Sequence, residues 1–499
     1  MASLLLETFC NNIAIFIAIF ACLGTWYVYS WKQFKRNLLR WPGRTYPIIG
    51  NSLERFLESG GELKLLEEQR RTKAHGIALY QFPNKVVSIV TDYKLLNELF
   101  TTFSNETSDR VDGTIFTEEF PMGRAIIESS GKLWQLHRKE VLVALRKLGL
   151  GFSSLESKAN IESEALIEHL SKAKKHTSMN YVANAFATAT ANMINQLCFG
   201  KRFNYGDTAF RKLHRNINTV IGYDPYDFRY FVPRWVRRLP FLYKPKFEEM
   251  VVALKDIQHF VENQMEIHDQ SLDEECLLTM FYKKQKSMPN EFSYDDIVGC
   301  CMDSMLAGTD TTSVTLSWVI AFMALYPDVQ RRVKLHIKEV LQDKHFEYKD
   351  IENLPILQAF VLESQRFGST ALVTVPHYVN KTITTSQGYV FTKGSVIIGH
   401  LFAITRDENA FEYPDTFDLR NFLADDLTIK KNDNFIPFGH GPRICVGEKL
   451  AKLELYTFAV KIFQNFTVSA LDDEKIHENF ADVGGGRRPA NFRFKLTVD

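Results

Sequence analysis

The sequence predicts a mainly α-helical protein with a small β region, built as one large domain behind a hydrophobic N-terminal segment. Three observations support this. Long apolar patterns of helical period dominate from residue 131 to 345. Short alternating runs such as Val86-Val87-Ser88-Ile89-Val90 imply a small sheet on the N-terminal side. No Pro/Gly/Ser-rich linker, low-complexity tract or internal repeat interrupts the chain beyond residue 51, although 499 residues would leave room for several domains. A hydrophobic content of 45% is ample for a sizeable core, and a formal charge of +1 offers no electrostatic argument for nucleic acid. The seven cysteines (Cys10, Cys22, Cys198, Cys276, Cys300, Cys301 and Cys445) show no framework spacing, and their odd number fits a reducing compartment.

In chain order, residues 8–31 carry no charged side chain and Ile13 to Tyr29 is almost continuously apolar. About 20 such residues cross a bilayer core as a helix. A cleaved signal peptide competes with this reading, but no basic residue precedes the apolar run. The nearby positive charge follows it, at Lys32, Lys35, Arg36 and Arg40, which predicts a lumenal N-terminus and a cytosolic body. Trp41-Pro42-Gly43-Arg44-Thr45-Tyr46-Pro47 then reads as a stiff hinge. The expected organisation is an anchor over 1–31, a basic, proline-containing hinge over 32–51 and a folded body over 52–499. The sequons at Asn105, Asn380 and Asn465 should go unused on that side of the membrane.

Between Arg229 and Lys244, aromatic and basic residues interleave. A solvated loop or an RNA surface would also have this composition. Behind an anchor, a membrane-seated loop is the better expectation, with rings at the interface and arginines at anionic headgroups.

Residues 293–325 read as one helix with Ala307-Gly308-Thr309-Asp310-Thr311-Thr312 in its middle. Ala307, Asp310 and Thr311 are spaced i, i+3, i+4 and are expected to share a face, giving a hydroxyl beside a carboxylate and a short proton relay. An acid and an alcohol in a helix are more often a solvated face or a local bond to the backbone. Gly308 is destabilising in a helix relative to alanine by about 1 kcal/mol, which suggests a flat or bulky group approaching the backbone there. Further on, Glu363-Ser364-Gln365-Arg366 has the i, i+3 spacing of an ordinary surface ion pair.

Near the C-terminus stands Phe438-Gly439-His440-Gly441-Pro442-Arg443-Ile444-Cys445-Val446-Gly447. Gly439, Gly441 and Gly447 are expected to supply turn conformations that only glycine adopts cheaply. From Val446 the apolar positions are helical, so Cys445 should lie at a helix N-terminus, where free N–H groups favour a thiolate. A lone cysteine is usually a buried, inert one. Here no second cysteine is close enough for a zinc site, and there is no CxxCH run.

The spacing Phe-x-x-Gly-x-Arg-x-Cys-x-Gly resembles the haem-binding loop of the cytochrome P-450 (haem-thiolate monooxygenase) family. The Ala307 to Thr312 stretch resembles that family's oxygen-activating segment. Glu363-x-x-Arg366 with Pro414-Asp415-Thr416-Phe417-Asp418-Leu419-Arg420-Asn421-Phe422 resembles the structural lock beneath the haem loop. The lock departs from the common pattern. Asn421 stands where an arginine or histidine is usual and Arg420 falls one position early, so either residue is a candidate to complete it. Trp134-Gln135-Leu136-His137-Arg138 matches the family's Trp-x-x-x-Arg helix. Leu145 to Gly151 and Pro376-His377 look like the microsomal branch that oxidises drugs, steroids and fatty acids.

The resemblance covers the chain from its first hydrophobic stretch to Arg487-Arg488-Pro489. It implies haem b with Cys445 as axial thiolate, and Trp134, Arg138, His377 and Arg443 on the haem propionates, with Arg110 as a fifth contact. It also implies Asp310 and Thr311 in proton delivery. The implied fold is a single haem-thiolate domain with the haem between the Ala307 to Thr312 helix and the Cys445 loop. The implied reaction is insertion of one atom of O2 into an apolar organic substrate. Electrons would come from a membrane flavoprotein reductase using NADPH, docked near Arg138, Lys139, Lys147, Lys449 and Lys452; a small electron-transfer haem protein is a second candidate donor. The implied location is the endoplasmic reticulum membrane, with a single pass and a cytosolic catalytic domain. A haem-thiolate isomerase or dehydratase and a non-catalytic haem sensor are the alternatives, and the retained Asp310-Thr311 pair argues against both.

Overall fold

The computed structural model describes residues 21–22, 24–25, 76–81, 86–149, 153–223, 237, 244–268, 275–342, 344–471, 480–483 and 486–499. The expected anchor, the hinge and most of the 229–244 run lie outside the described residues. Among the described residues no single helix is long and apolar enough to cross a membrane. Arg237, inside that run, is buried and its guanidinium binds Glu118 and Glu119 at 2.5 and 2.9 Å, so this arginine faces the protein rather than a headgroup.

Six helices frame the site: α1 (Gly131–Lys147), α2 (Met179–Phe199), α3 (Thr208–Ile221), α4 (Tyr294–Leu325), α5 (Pro355–Gly368) and α6 (Glu448–Asn465). Four strands, β1 (Ile77–Gln81), β2 (Val86–Val90), β3 (His377–Tyr378) and β4 (Val396–Gly399), form a sheet in the order β1-β2-β4-β3. Strands β1 and β2 are antiparallel, β2 and β4 parallel with Val87 opposite Val396, and β3 runs antiparallel to β4 with His377 opposite Ile397. The alternation at 86–90 therefore gives a strand, as predicted. A second sheet joins His176–Ser178, Arg493–Val498 and Phe466–Ala470.

Helix α4 is the axis of the main core. It starts where Ser293 and Asp296 cap one another, with the Ser293 amide donating to Asp296 Oδ2 at 2.7 Å and the Asp296 amide donating to Ser293 Oγ at 3.3 Å. It stops before Pro327, which opens the next helix, Pro327–Leu341, because a residue preceding proline is driven out of helical geometry. Nearly every face of α4 is buried, so it needs no amphipathic stripe. Helix α2 lies against it closely enough for Thr190 Oγ1 to donate to the Thr309 carbonyl at 2.7 Å. A Cβ on Gly308 would stand 2.4 Å from Ile194 Cδ1. The close approach expected at Gly308 is therefore present, and the bulky group is Ile194 of the neighbouring helix.

Helix α1 buries Trp134, His137, Val141, Ala144 and Leu145, one stripe at i, i+3, i+7, i+10 and i+11. Helix α5 carries the Glu363–Arg366 pair, and it is not a surface pair. Both side chains are fully buried, with Arg366 Nε and Nη2 donating to the two Glu363 oxygens at 2.7 Å each. The remaining Arg366 donors reach the carbonyls of Thr405, Tyr413, Pro414 and Thr416. Asn421 completes this lock, its Nδ2 donating to Glu363 Oε1 at 3.1 Å and to the Tyr413 carbonyl at 3.0 Å. Arg420 is exposed, pairs with Asp418 and stacks over Tyr413 at 4.0 Å. An amide reaches the buried carboxylate without importing a second charge, which a cation would have to desolvate.

Candidate active site

The Cys445 loop joins the lock region to α6. Gly439 and Gly441 have φ of +80° and +74°, and a Cβ on Gly441 would be 2.2 Å from the Phe100 carbonyl oxygen. Both positions therefore need glycine, for conformation and, at Gly441, also for space. Gly447 departs from expectation: its φ is −90° and a Cβ there would be in ordinary contact with Cys445 Sγ at 3.8 Å. Gly447 is the N-cap of α6. The Cys445 amide donates to the Phe438 carbonyl at 2.9 Å, closing the loop. Burial pushes the Cys445 thiol up, Glu448 pushes it the same way, and the amides of Gly447 and Glu448 together with Arg138 pull it down. A metal at that sulfur would take the thiolate outright.

Cys445 is hemmed in by protein atoms and yet remains exposed. In the middle of the buried α4, Ala307 and Thr311 are exposed too, one turn apart on one face. Exposure at the heart of the core on two separate elements marks an internal space. Thr311 Oγ1 donates to the Ala307 carbonyl at 2.8 Å, leaving its oxygen lone pairs toward that space.

The Asp310 carboxylate does not back this hydroxyl, which corrects the shared-face expectation. Consecutive helical residues point about 100° apart, and Asp310 is turned into the core. There its Oδ2 accepts from Arg488 Nη2 at 3.0 Å, while Arg488 Nη1 donates to Asn218 Oδ1 of α3 at 3.0 Å. Burial raises Asp310 and Arg488 holds it down.

Around the space stands a set of cationic and donor groups. Arg443 stacks on Trp134 at 3.9 Å and donates to the carbonyls of Ser108, Ile126 and Ser129. Arg110 donates to the carbonyls of Ile127 and Pro376, and Arg138 to that of Ile444. Burial and the Arg110 charge push Arg443 down to about 8, while burial alone pushes Arg110 down to about 10, offset by Glu128. A guanidinium keeps its proton in proteins, so this pressure is a demand for anions. The Trp134 Nε1 is buried with no acceptor among the described residues. His377 is different. Stacked on Phe100, its Nδ1 lies 2.7 Å from the Thr107 carbonyl, which only accepts, so that nitrogen carries the proton. Burial and Arg110 keep the ring neutral, and its Nε2 would donate to a carboxylate only after taking a second proton.

Sequence reasoning missed three groups here. Asp303, one turn before Ala307, accepts from the amides of Ile126 and Ile127 at 2.8 Å each, pinning the 125–130 loop to α4. Its only sequence signal is an acid inside an apolar helix. Glu128 lies on that loop, and Arg488 belongs to the C-terminal hairpin, where charge alone could not reveal its partners.

A thiol facing an internal space, an orphaned indole N–H and three arginines short of anions suit a flat iron macrocycle bearing two carboxylates. Comparison with known proteins agrees. The Cytochrome P450 family profile matches residues 41–496. The chain is 29% identical over 477 residues to cytochrome P450 2C8 of Homo sapiens, covering 92% of this chain and 94% of that protein. It is 30% identical to cytochrome P450 2J1 of Oryctolagus cuniculus (87% and 86% covered) and 30% identical to cytochrome P450 2B2 of Rattus norvegicus (86% and 88%).

Proposed function

The chain belongs to the cytochrome P450 family, a haem-thiolate monooxygenase with redox partners and an apolar substrate, and on that premise we propose that Cys445 is its axial ligand and Thr311 its proton-delivering hydroxyl. The observation that carries this is the pair of exposed positions inside the core, Cys445 before α6 and Ala307/Thr311 on α4. Haem b, when bound, supplies reductive activation of O2 and insertion of one oxygen atom into the substrate, with thiolate donation favouring O–O cleavage. The chain's own groups do the rest. Trp134, Arg110, Arg138 and Arg443 hold the propionates, and His377 joins them as the imidazolium. Thr311 orders water at the cavity face of α4. Asp310, held by Arg488, acts on that water only by exchanging partners.

The electron donor is an NADPH-dependent flavoprotein reductase on the face of Lys139, Lys147 and Lys449, which are exposed. Arg138 is turned inward to Ile444 and Lys452 is paired with Glu448, so neither is free to lead that contact. Residues 1–31 anchor the protein in the endoplasmic reticulum membrane by a single pass, 32–51 form the hinge, and 52–499 the cytosolic catalytic domain.

The deciding experiment is the spectrum of the reduced, carbon monoxide-bound protein. Cys445→Ala and Cys445→His should lose the thiolate signature, while Cys300→Ala and Cys301→Ala keep it. A Cys445→His protein that retained it would remove the ligand assignment. Substrate-stimulated NADPH consumption with reductase present tests the donor.

A further inference from the structure

Helix α3 meets α4 at the turn that carries Thr311, and one guanidinium joins them there. Arg488 Nη2 donates to Asp310 Oδ2 of α4 and Nη1 to Asn218 Oδ1 of α3, at 3.0 Å each. The Asn218 amide is oriented for this contact, because its Nδ2 donates to His214 Nε2 one turn earlier at 3.1 Å. Burial and the Arg488 charge push His214 down to about 4, so the ring is neutral and that nitrogen is free to accept. Arg488 itself is carried on backbone already fixed to the body of the protein. The Arg487 carbonyl accepts from Trp318 Nε1 of α4 at 3.2 Å, the Arg487 amide donates to the Thr370 carbonyl at 3.3 Å, and Gly486 pairs with Ala371.

The buried stripe of α3 is apolar, formed by Phe210, Leu213 and Ile217. Apolar packing is non-directional and permits small sliding of one helix on another. Away from α4, Lys212 Nζ and Asn216 Nδ2 bind Asp256 Oδ2 of the helix Pro245–His268 at 2.9 and 3.2 Å, which joins those two helices. Arg488 supplies what the stripe does not. Its planar fork holds two acceptors on different elements in one geometry, which a single ammonium cannot reproduce. Because residue 310 adjoins Thr311, this joint lies at the edge of the internal space.

Resting on the family reading above, we propose that Arg488 is a positioning residue of the substrate cavity: by clasping Asp310 and Asn218 it holds α3 against α4 and sets how long a bulky ligand is retained. The two arms of the clasp are unequal. Parting Arg488 from Asp310 would leave a buried carboxylate without its cation, whereas parting it from Asn218 gives up one bond to a neutral acceptor. The Asn218 arm therefore opens when a ligand passes, and the Asp310 arm stays made.

The test uses the purified full-length holoprotein and two probes that share one ligating ring, imidazole and N-(4-phenylbenzyl)imidazole, each followed by haem absorbance in stopped flow. In Asn218→Ala the dissociation rate of the bulky probe should rise about tenfold, while that of imidazole stays within about twofold of wild type. Arg488→Lys keeps a charge for Asp310 but loses the fork, so it should match Asn218→Ala. Amide hydrogen exchange supplies a readout that does not depend on activity: residues 208–221 should exchange about tenfold faster in both variants, with 448–465 unchanged. A bulky-probe dissociation rate unaltered in both variants overturns the proposal. So does equal acceleration of the two probes, or of exchange in both helices, which is the mark of general loosening. Arg488→Gln, which also strips Asp310 of its cation, should exceed both variants; if it cannot hold haem, the two milder variants decide alone. Failure of the family reading would look different, as a wild type without the thiolate signature.

Discussion

The three loop glycines offer a graded test of the architecture around Cys445. Alanine at Gly439 would occupy φ +80° with no atom of the described residues beyond its chain neighbours within 4 Å of its Cβ, so only the left-handed conformation is penalised, at about 1–2 kcal/mol. Alanine at Gly441 incurs the same conformational cost at φ +74°. Its Cβ would also meet the Phe100 carbonyl oxygen at 2.2 Å, a backbone atom that no rotamer change can move. Overpacking of this kind adds about 1–3 kcal/mol, for a total of about 2–5 kcal/mol. Alanine at Gly447, with φ −90° and 3.8 Å of clearance to Sγ, should be within about 0.5 kcal/mol of wild type. Urea unfolding followed by helical circular dichroism and by haem absorbance gives the three midpoints, at unchanged m. The expected order of stability is Gly447→Ala, then Gly439→Ala, then Gly441→Ala, with the last also losing haem first. Equal losses at Gly439 and Gly441 would refute the steric argument, and a large loss at Gly447 would refute the conformational one.

Other expectations follow from the same geometry. Asn421→Ala strips a donor from the buried Glu363 and should lower stability by about 1–3 kcal/mol, whereas Arg420→Ala, removing an exposed pair, should cost under about 1 kcal/mol; urea midpoints compare them. Asp303 is raised by burial to about 8, so the folded state binds a proton that the unfolded chain releases near pH 4. Its contribution is full below pH 4 and declines by about 1.4 kcal/mol per pH unit as pH rises toward 8. Asp303→Asn should flatten that part of the stability profile while still accepting from Ile126 and Ile127, and an unchanged slope would remove Asp303 as its source. Thr311→Ala should retain haem but lower product formed per NADPH about tenfold, hydrogen peroxide making up the difference, with Thr311→Ser largely restoring it. An unchanged ratio of product to NADPH would leave the Thr311 hydroxyl only its bond to Ala307.

The amino-acid order alone determined what depends on short spacing and local conformation. The α4 boundaries follow from a Ser/Asp cap and a proline stop, the β2 strand from alternation, and the candidate cysteine from glycines and an arginine within one loop. These features are legible because neighbouring residues generate them. Partners distant in sequence were beyond its reach. Asp310 and Thr311 are adjacent in the chain, yet the helix turns one toward Arg488, 178 residues away, and the other toward the cavity. Glu363 and Arg366 had the spacing of a surface pair and became a buried lock because the 413–421 meander closes over them. Gly308 answered to Ile194 of another helix. Burial decides whether a charge is solvated or must find a partner, and burial is a property of the packed chain as a whole.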